Sequence, residues 1–318
     1  MMNKSRTDCT DIPVIVLQDG DMRVSLLGYG AITQGWCYKG QPLILGYDDP
    51  TEYLDDPFYL GALVGRVANR IGGAGFDLDG THHALIANEG SNTLHGGPEG
   101  LSRQFWQVEQ LSPCEAVLVH VSPHGAGGFP GAVRFEVRVR LDFPRLTYSI
   151  SAWPDRPTPI SIAQHNYYTL GSAQGISEHR LQLASDRHLE LDDQGIPHGG
   201  IVGSASVGLD FAAPQPIGQA ATDLDHFFLF GTGGMVAQPV ATLAAPSGLT
   251  MTVHSDQPGA QVYSAAHLSA PFAPHAGLCI EPSGYPNAPN VPAFPSIICT
   301  SEKPYHQTLM LEISEARA

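Results

Sequence analysis

Lysine is almost absent from this chain. Lys4, Lys39 and Lys303 are the three lysines among 16 basic residues, set against 31 acidic ones, and the formal net charge is −15. Without a broad basic surface there is little to neutralise a phosphate backbone, so nucleic acid is not expected as a partner. Long apolar runs are missing too. None approaches the roughly 20 residues needed to cross a bilayer, and the N-terminal MMNKSRTDCTDIP lacks the apolar core of a secretion signal. No membrane partner is expected, and a soluble, cytoplasmic protein is. The five cysteines (Cys9, Cys37, Cys114, Cys279, Cys299) are odd in number, far apart and without a CxxC pair. That argues against a disulfide framework or a zinc knuckle and for reduced, mostly buried thiols.

Turn formers, by contrast, are plentiful. Thirty-five glycines and 26 prolines punctuate the chain too often for long helices, while 42% hydrophobic residues are ample for a core. Many strands joined by turns are expected. Val14 to Leu17 and Met22 to Leu27 read as an opening hairpin around Gln18-Asp19-Gly20-Asp21. Phe105 to Leu111 and Ala116 to Val121 read as strands. The clearest strand has Val133, Phe135, Val137, Val139, Leu141 and Phe143 alternating with Arg134, Glu136, Arg138, Arg140 and Asp142, one face buried and one wet. Leu146 to Trp153 reads as its partner across a tight Pro144-Arg145 turn. Further strands are expected at Leu181 to Ala184, His188 to Leu191, Val240 to Leu243, Thr250 to His254, Gln261 to Tyr263 and Leu309 to Ile313, with residues 203–221 loop-like. No internal repeat or linker divides the sequence. The simplest architecture is all-β, one large antiparallel β-sandwich domain over residues 1–318.

One stretch concentrates polar groups. In GRVANRIGGAGFDLDGTHHALIANEGSNTLHGG, residues 65–97, the clusters Asn69-Arg70 and Asn92-Thr93-Leu94-His95 flank Asp79-Gly80. That dipeptide accepts the positive φ angles of a two-residue turn and would fold the chain back, bringing the clusters near one another. On composition alone the stretch is a loop-rich sheet edge. The Gly-rich HGAGGFPG at 124–131 lacks the GK[ST] ending of a phosphate loop and the setting of a dinucleotide site.

Fourteen histidines offer chemistry. His82-His83 point to opposite faces of a strand, His120 and His124 straddle Pro123, and nothing forms HExxH or a facial triad, so no metal is expected. No GxSxG elbow occurs in a strand-turn-helix setting, which disfavours a serine hydrolase. Acid–base chemistry with a histidine and a carboxylate remains. His165 lies near the centre of the β-prone run PISIAQHNYYTL. Glu281 follows the apolar Leu278-Cys279-Ile280 at the mouth of a Pro/Asn-rich loop, where partial desolvation would raise its pKa. Spacing alone does not join the two.

Five blocks do. GRVANRIGG, NTLHGGPEG, HNYYTLG, DLDHFFLF and EPSGYPNAPNVPAFPS, in this order, resemble the conserved segments of the aldose 1-epimerase (galactose mutarotase) family along nearly the whole chain. The resemblance implies that family's large β-sandwich with its site on a sheet face. It implies Glu281 as general base on the anomeric hydroxyl, His165 as general acid on the ring oxygen, and Asn69, Arg70, His95 and Asp225 as groups holding a sugar, with no cofactor. The substrate implied is a free hexose such as galactose or glucose. The chain departs from the family pattern at Gln164, Thr169 and Ser283-Gly284, which bears on substrate preference more than on reaction type. Two other functions are weighed against this one. A hexose-phosphate 1-epimerase would need extra cations. A non-catalytic sugar-binding or sensing protein could dispense with His165 or Glu281. Oligomeric state is left open, a homodimer included.

Overall fold

Side-chain alternation dictates how the strands stack. In a computed structural model, which describes residues 11–218, 224–231 and 238–315, the strand Val133–Asp142 buries Val133, Phe135, Val137, Val139 and Leu141 and turns the residues between them outward. It pairs in register with Arg145–Pro154. The strand stops one residue short of the alternation: Phe143, expected on the buried face, is 46% exposed because the chain has already turned toward Arg145. Phe105, read as the start of a strand, is exposed ahead of Gln107–Ser112.

These strands belong to a nine-stranded antiparallel sheet in the order Gln107–Ser112, Glu115–Ser122, Val133–Asp142, Arg145–Pro154, Tyr305–Glu315, Leu249–Ser255, Pro239–Ala244, Arg180–Leu183 and Gln215–Pro216. A six-stranded sheet runs Tyr167–Tyr168, Leu278–Ser283, Gly259–Tyr263, Asp225–Leu229, Arg187–Leu191 and Pro197–Gly203. One apolar cluster draws on both sheets, with Phe135, Val137 and Ile150 from the first and Ala260, Val262, Leu278 and Ile280 from the second. Full burial of each large side chain contributes about 1.5–3 kcal/mol. In the two strands Gly259–Tyr263 and Leu278–Ser283, one set of alternate residues is committed to this core, and the opposite face carries the other set. Helical turns among the described residues are 3-10 turns of at most five residues, and no helix is long and apolar enough to cross a membrane. The chain is an all-β sandwich, as expected.

Of the four described cysteines, all free, Cys279 and Cys299 are buried, but Cys37 and Cys114 are only half-buried, so "mostly buried" overstated them. Cys9 and residues 219–223, part of the expected 203–221 loop and of the DLDHFFLF block, lie outside the described residues.

The 65–97 stretch folds as its turn chemistry requires. Asp79 (φ 51°) and Gly80 (φ 76°) close a hairpin between Gly75–Leu78 and Thr81–Ala84. Arg70–Ile71 then pairs with Thr93–Leu94, which sets the two polar clusters side by side. Gly96 is required where it stands: at φ 83° it lies so close to the Gly65 carbonyl that a Cβ would collide with it. Arg66, 3% exposed, fastens the stretch from beneath. Its guanidinium donates to the carbonyls of Pro130 and Gly131 (both 2.9 Å), of Pro123 (2.8 Å) and to Ser122 Oγ (2.9 Å). Burial lowers its pKa to about 10. The Gly-rich 124–131 segment therefore supplies carbonyl acceptors to a buried arginine.

Candidate active site

Register places the reactive groups. Tyr167 lies opposite Cys279, Cys279 opposite Tyr263, and Tyr263 opposite Asp225, a row across four strands of the six-stranded sheet. In the next row Gln261 lies opposite Glu281. Residues directly opposite share a face, as do residues two apart. This face is the one turned away from the core, and it floors a cleft of about 200 Å³. That is below the roughly 300–1,000 Å³ typical of drug-sized ligands and suits one small molecule.

Two placements differ from the sequence reading. Glu281 stands inside a strand rather than at the loop mouth, and is buried rather than partly desolvated: it is the fourth residue of Leu278–Ser283 and only 3% exposed. The strand runs on because Ser283 still pairs with Gly259, and the Pro282 carbonyl, the polar backbone group that proline retains, accepts from Gln307 Nε2 at 2.8 Å. His165 is not mid-strand. The run PISIAQHNYYTL is interrupted there, Ala163–Gln164 pairing with Leu63–Val64 and Tyr167–Tyr168 with the Glu281 strand. The interruption is where the chain changes partner. Extending the Tyr167 register back by two residues sets His165 opposite Glu281, and the side chains do meet, Nε2 to Oε1 at 3.7 Å.

Burial sets the electrostatics of this pair. It pushes the Glu281 carboxyl well above its ordinary pKa, with the nearby Asp225 charge adding to the effect. It lowers the His165 imidazole to about 4, against a smaller opposing pull from the residue's own carbonyl. Both shifts favour the uncharged pair. On the other ring edge, Cys279 Sγ approaches His165 Nδ1 at 3.7 Å. His165, Cys279 and Glu281 offer donor atoms all within 4.8 Å of one another, a grouping that a metal ion could also use. Because the grouping joins His165 to a strand far along the chain, no local spacing in the sequence reveals it.

The remaining expected residues line the same cleft. Asn69 and His95 both hold positive φ (60° and 53°), sparsely populated conformations for non-glycine residues. They lock each other: the Asn69 N–H donates to His95 Nδ1 and the His95 N–H to the Asn69 carbonyl, both 3.1 Å. Burial holds the His95 pKa well below its ordinary value, so the ring is neutral. With Nδ1 accepting, its proton sits on Nε2, making His95 a neutral hydrogen-bond donor. Arg70 donates to Glu89 Oε2 from Nε (2.6 Å) and to Oε1 from Nη2 (2.8 Å), and its Nη1 is 3.8 Å from Asp225 Oδ2. Asp225 Oδ1 accepts from Gln261 Nε2 at 2.6 Å.

The structure thus brings together all six residues singled out from the sequence, and it adds others. Cys279 was legible, since on a strand it shares the face of Glu281 two residues on. Gln261 is found only once strand register is known. Glu89 and Tyr59, whose ring packs against His95 at 4.8 Å, carry no sequence signal.

Comparison with known proteins defines the class first. The fold matches an aldose epimerase homologue from C. elegans (TM-score 0.91, 24% identity, 96% of this chain and 100% of that one) and the galactose 1-epimerase from Lactobacillus acidophilus NCFM (TM-score 0.89, 25% identity, 98% and 97%). The "Aldose 1-epimerase" family model matches residues 13–312. Among curated relatives, "Galactose mutarotase" of Bos taurus is 30% identical over 320 residues, spanning 94% of this chain and 93% of the relative. "Aldose 1-epimerase" of Escherichia coli K12 is 32% identical over 277 residues, 80% of each. The chain belongs to the aldose 1-epimerase family and is a carbohydrate isomerase that interconverts anomers.

Proposed function

We propose that Glu281 and His165 exchange protons with the anomeric hydroxyl and ring oxygen of a free hexose such as galactose or glucose, held by Asn69, Arg70, His95 and Asp225. The observation that carries this reading is the buried Glu281–His165 pair, 3.7 Å apart with opposed pKa shifts on the floor of a cleft lined by hydrogen-bonding groups.

The proton inventory is simple. The pair carries one proton. In the reactive form it rests on His165, leaving Glu281 as carboxylate, and sugar hydroxyls entering the cleft favour that form by hydrogen-bonding the carboxylate. Glu281 takes the proton from O1 while His165 gives one to O5. The C1–O5 bond breaks and C1–O1 becomes a carbonyl. After rotation about C1–C2, the same two protons return by the reverse route onto the opposite face of C1. Each transfer contributes a factor of about 10²–10⁴, and charge-assisted hydrogen bonds to Arg70 and Asp225 keep both oxygens in reach. No cofactor is called on. A cytoplasmic place of work goes with this reading, supported by the free cysteines.

A hexose-phosphate substrate fits less well, because among the described residues the one arginine or lysine lining the cleft, Arg70, is already held by Glu89 and lies near Asp225. Polarimetry of freshly dissolved α-D-galactose and α-D-glucose tests the proposal. Acceleration over the spontaneous rate is expected. Measurable sugar binding without acceleration for any aldose would leave a binding protein instead.

A further inference from the structure

Glu89 belongs to neither the reacting pair nor the sugar-holding set, yet its geometry around Arg70 is demanding. It occupies the side-on edge of the guanidinium, with both carboxylate oxygens engaged. That edge is one of the two on which an arginine clasps a phosphate bidentately. The other edge ends in Nη1, which lies 3.8 Å from Asp225 Oδ2. Burial opposes the Arg70 charge, but hydrogen bonds and charge from Glu89, with the charge of Asp225, hold its pKa above the ordinary arginine value.

The glutamate is held in place by its turn. Glu89 and Asn92 exchange backbone hydrogen bonds (3.2 and 2.9 Å) across Gly90, which has φ 58°. Asn92 Oδ1 in turn accepts from the Gly73 N–H at 3.0 Å, tying the turn to the 3-10 turn that directly follows the strand carrying Arg70. The cleft thus sets two carboxylates against one guanidinium, and it does so with pinned side chains.

We infer that Glu89 is a specificity-determining and positioning residue: it aims Arg70 at a neutral sugar hydroxyl and closes its fork to phosphate, so that phosphorylated aldoses are turned away. This rests on the proposed sugar site. Removing the Glu89 charge frees a half-buried cation, which a phosphate then satisfies.

The test is calorimetric binding of galactose 6-phosphate and of inorganic phosphate to the wild type, Glu89→Gln and the double variant Arg70→Gln/Glu89→Gln, alongside mutarotation kinetics. Glu89→Gln should bind phosphate compounds at least about tenfold more tightly than the wild type, a gain abolished in the double variant and weakened by salt. For neutral galactose its KM should rise by a larger factor than its kcat falls. A folded Glu89→Gln with wild-type phosphate affinity, or a gain that survives loss of Arg70, overturns the inference. If Glu89→Gln does not fold, Glu89→Ser removes the same carboxylate with less side chain to place, and absence of any gain there overturns it equally. The binding arm needs no turnover, so a wild type without mutarotase activity would defeat the proposed function and leave this comparison readable.

Discussion

The 65–97 stretch and the Glu281–His165 pair face the same cleft under opposite regimes. In the stretch each functional side chain already has a protein partner on one side: His95 Nδ1 accepts from the Asn69 N–H, Asn69 Oδ1 accepts from the Arg70 N–H, and Arg70 is clasped by Glu89. In the pair, carboxyl and imidazole face each other at 3.7 Å, beyond hydrogen-bond length, in surroundings that strip both of charge. Saturated groups keep their geometry, and unsatisfied ones keep their reactivity. A cradle needs the first, because ring atoms must be positioned closely. Proton carriers need the second, because a group already committed to a strong partner exchanges protons poorly.

The largest effect should come from the unsatisfied side. Glu281→Gln removes the proton acceptor and keeps the shape, so kcat is expected to fall by about 10²–10⁴ with sugar affinity little changed. Magnetisation-exchange NMR between the anomers measures the first quantity and calorimetry the second. Retention of most activity would erase the distinction between the two regions. His165→Gln should lose a comparable factor in kcat and also one limb of a bell-shaped pH–rate profile, whose two apparent pKa values belong to the coupled pair.

On the saturated side, Arg70→Gln is expected to act through KM, raising it on the order of tenfold to a hundredfold with a smaller fall in kcat. If it instead matched Glu281→Gln in kcat, the cradle would be part of the chemistry.

Stability should separate the regions in the other direction. A carboxyl whose folded pKa is raised contributes most below its ordinary pKa and loses that contribution as pH rises toward the folded value. At pH 8 Glu281→Gln should therefore melt higher than the parent, on the order of 2 °C, whereas Asn69→Ala should melt lower. The smallest contrast concerns acid. His95, His120, His165, His179, His188 and His226 all have pKa values lowered chiefly by burial, His165 and His188 to about 4. The stability they contribute is present above the ordinary imidazole value of 6.5 and is lost as pH falls toward 4. Melting temperature should drop across that window. A flat profile there would mean that the imidazoles are better solvated than their burial implies.

Much of this was legible in the sequence, wherever the physics is local. The alternation in Val133–Asp142 and the Asp79-Gly80 turn are decided by neighbours in the chain. The five family blocks supplied the six expected residues, but not their surroundings. That Glu281 sits mid-strand depends on Ser283 finding Gly259, 24 residues away in the chain and opposite it in the sheet. That Gln261 belongs to the site depends on the same register. Glu89 acts on Arg70 only because two short strands pair across the hairpin. Pairing partners, which no single stretch records, were the missing information.

The register also makes the site a matter of parity. Residues 165, 167, 225, 261, 263, 279 and 281 are all odd-numbered, and in the 259–263 and 278–283 strands the core takes the even ones. Inserting or deleting a single residue inside 278–283 would leave the hydrogen-bond ladder able to form while presenting Ile280 or Pro282 to the cleft and driving Glu281 into the apolar core. A change of two residues would preserve the alternation. The strand is therefore indifferent to much of its chemistry but not to its count, and length variation in this chain should concentrate in the connecting loops, where a single residue more or less does not reverse a face.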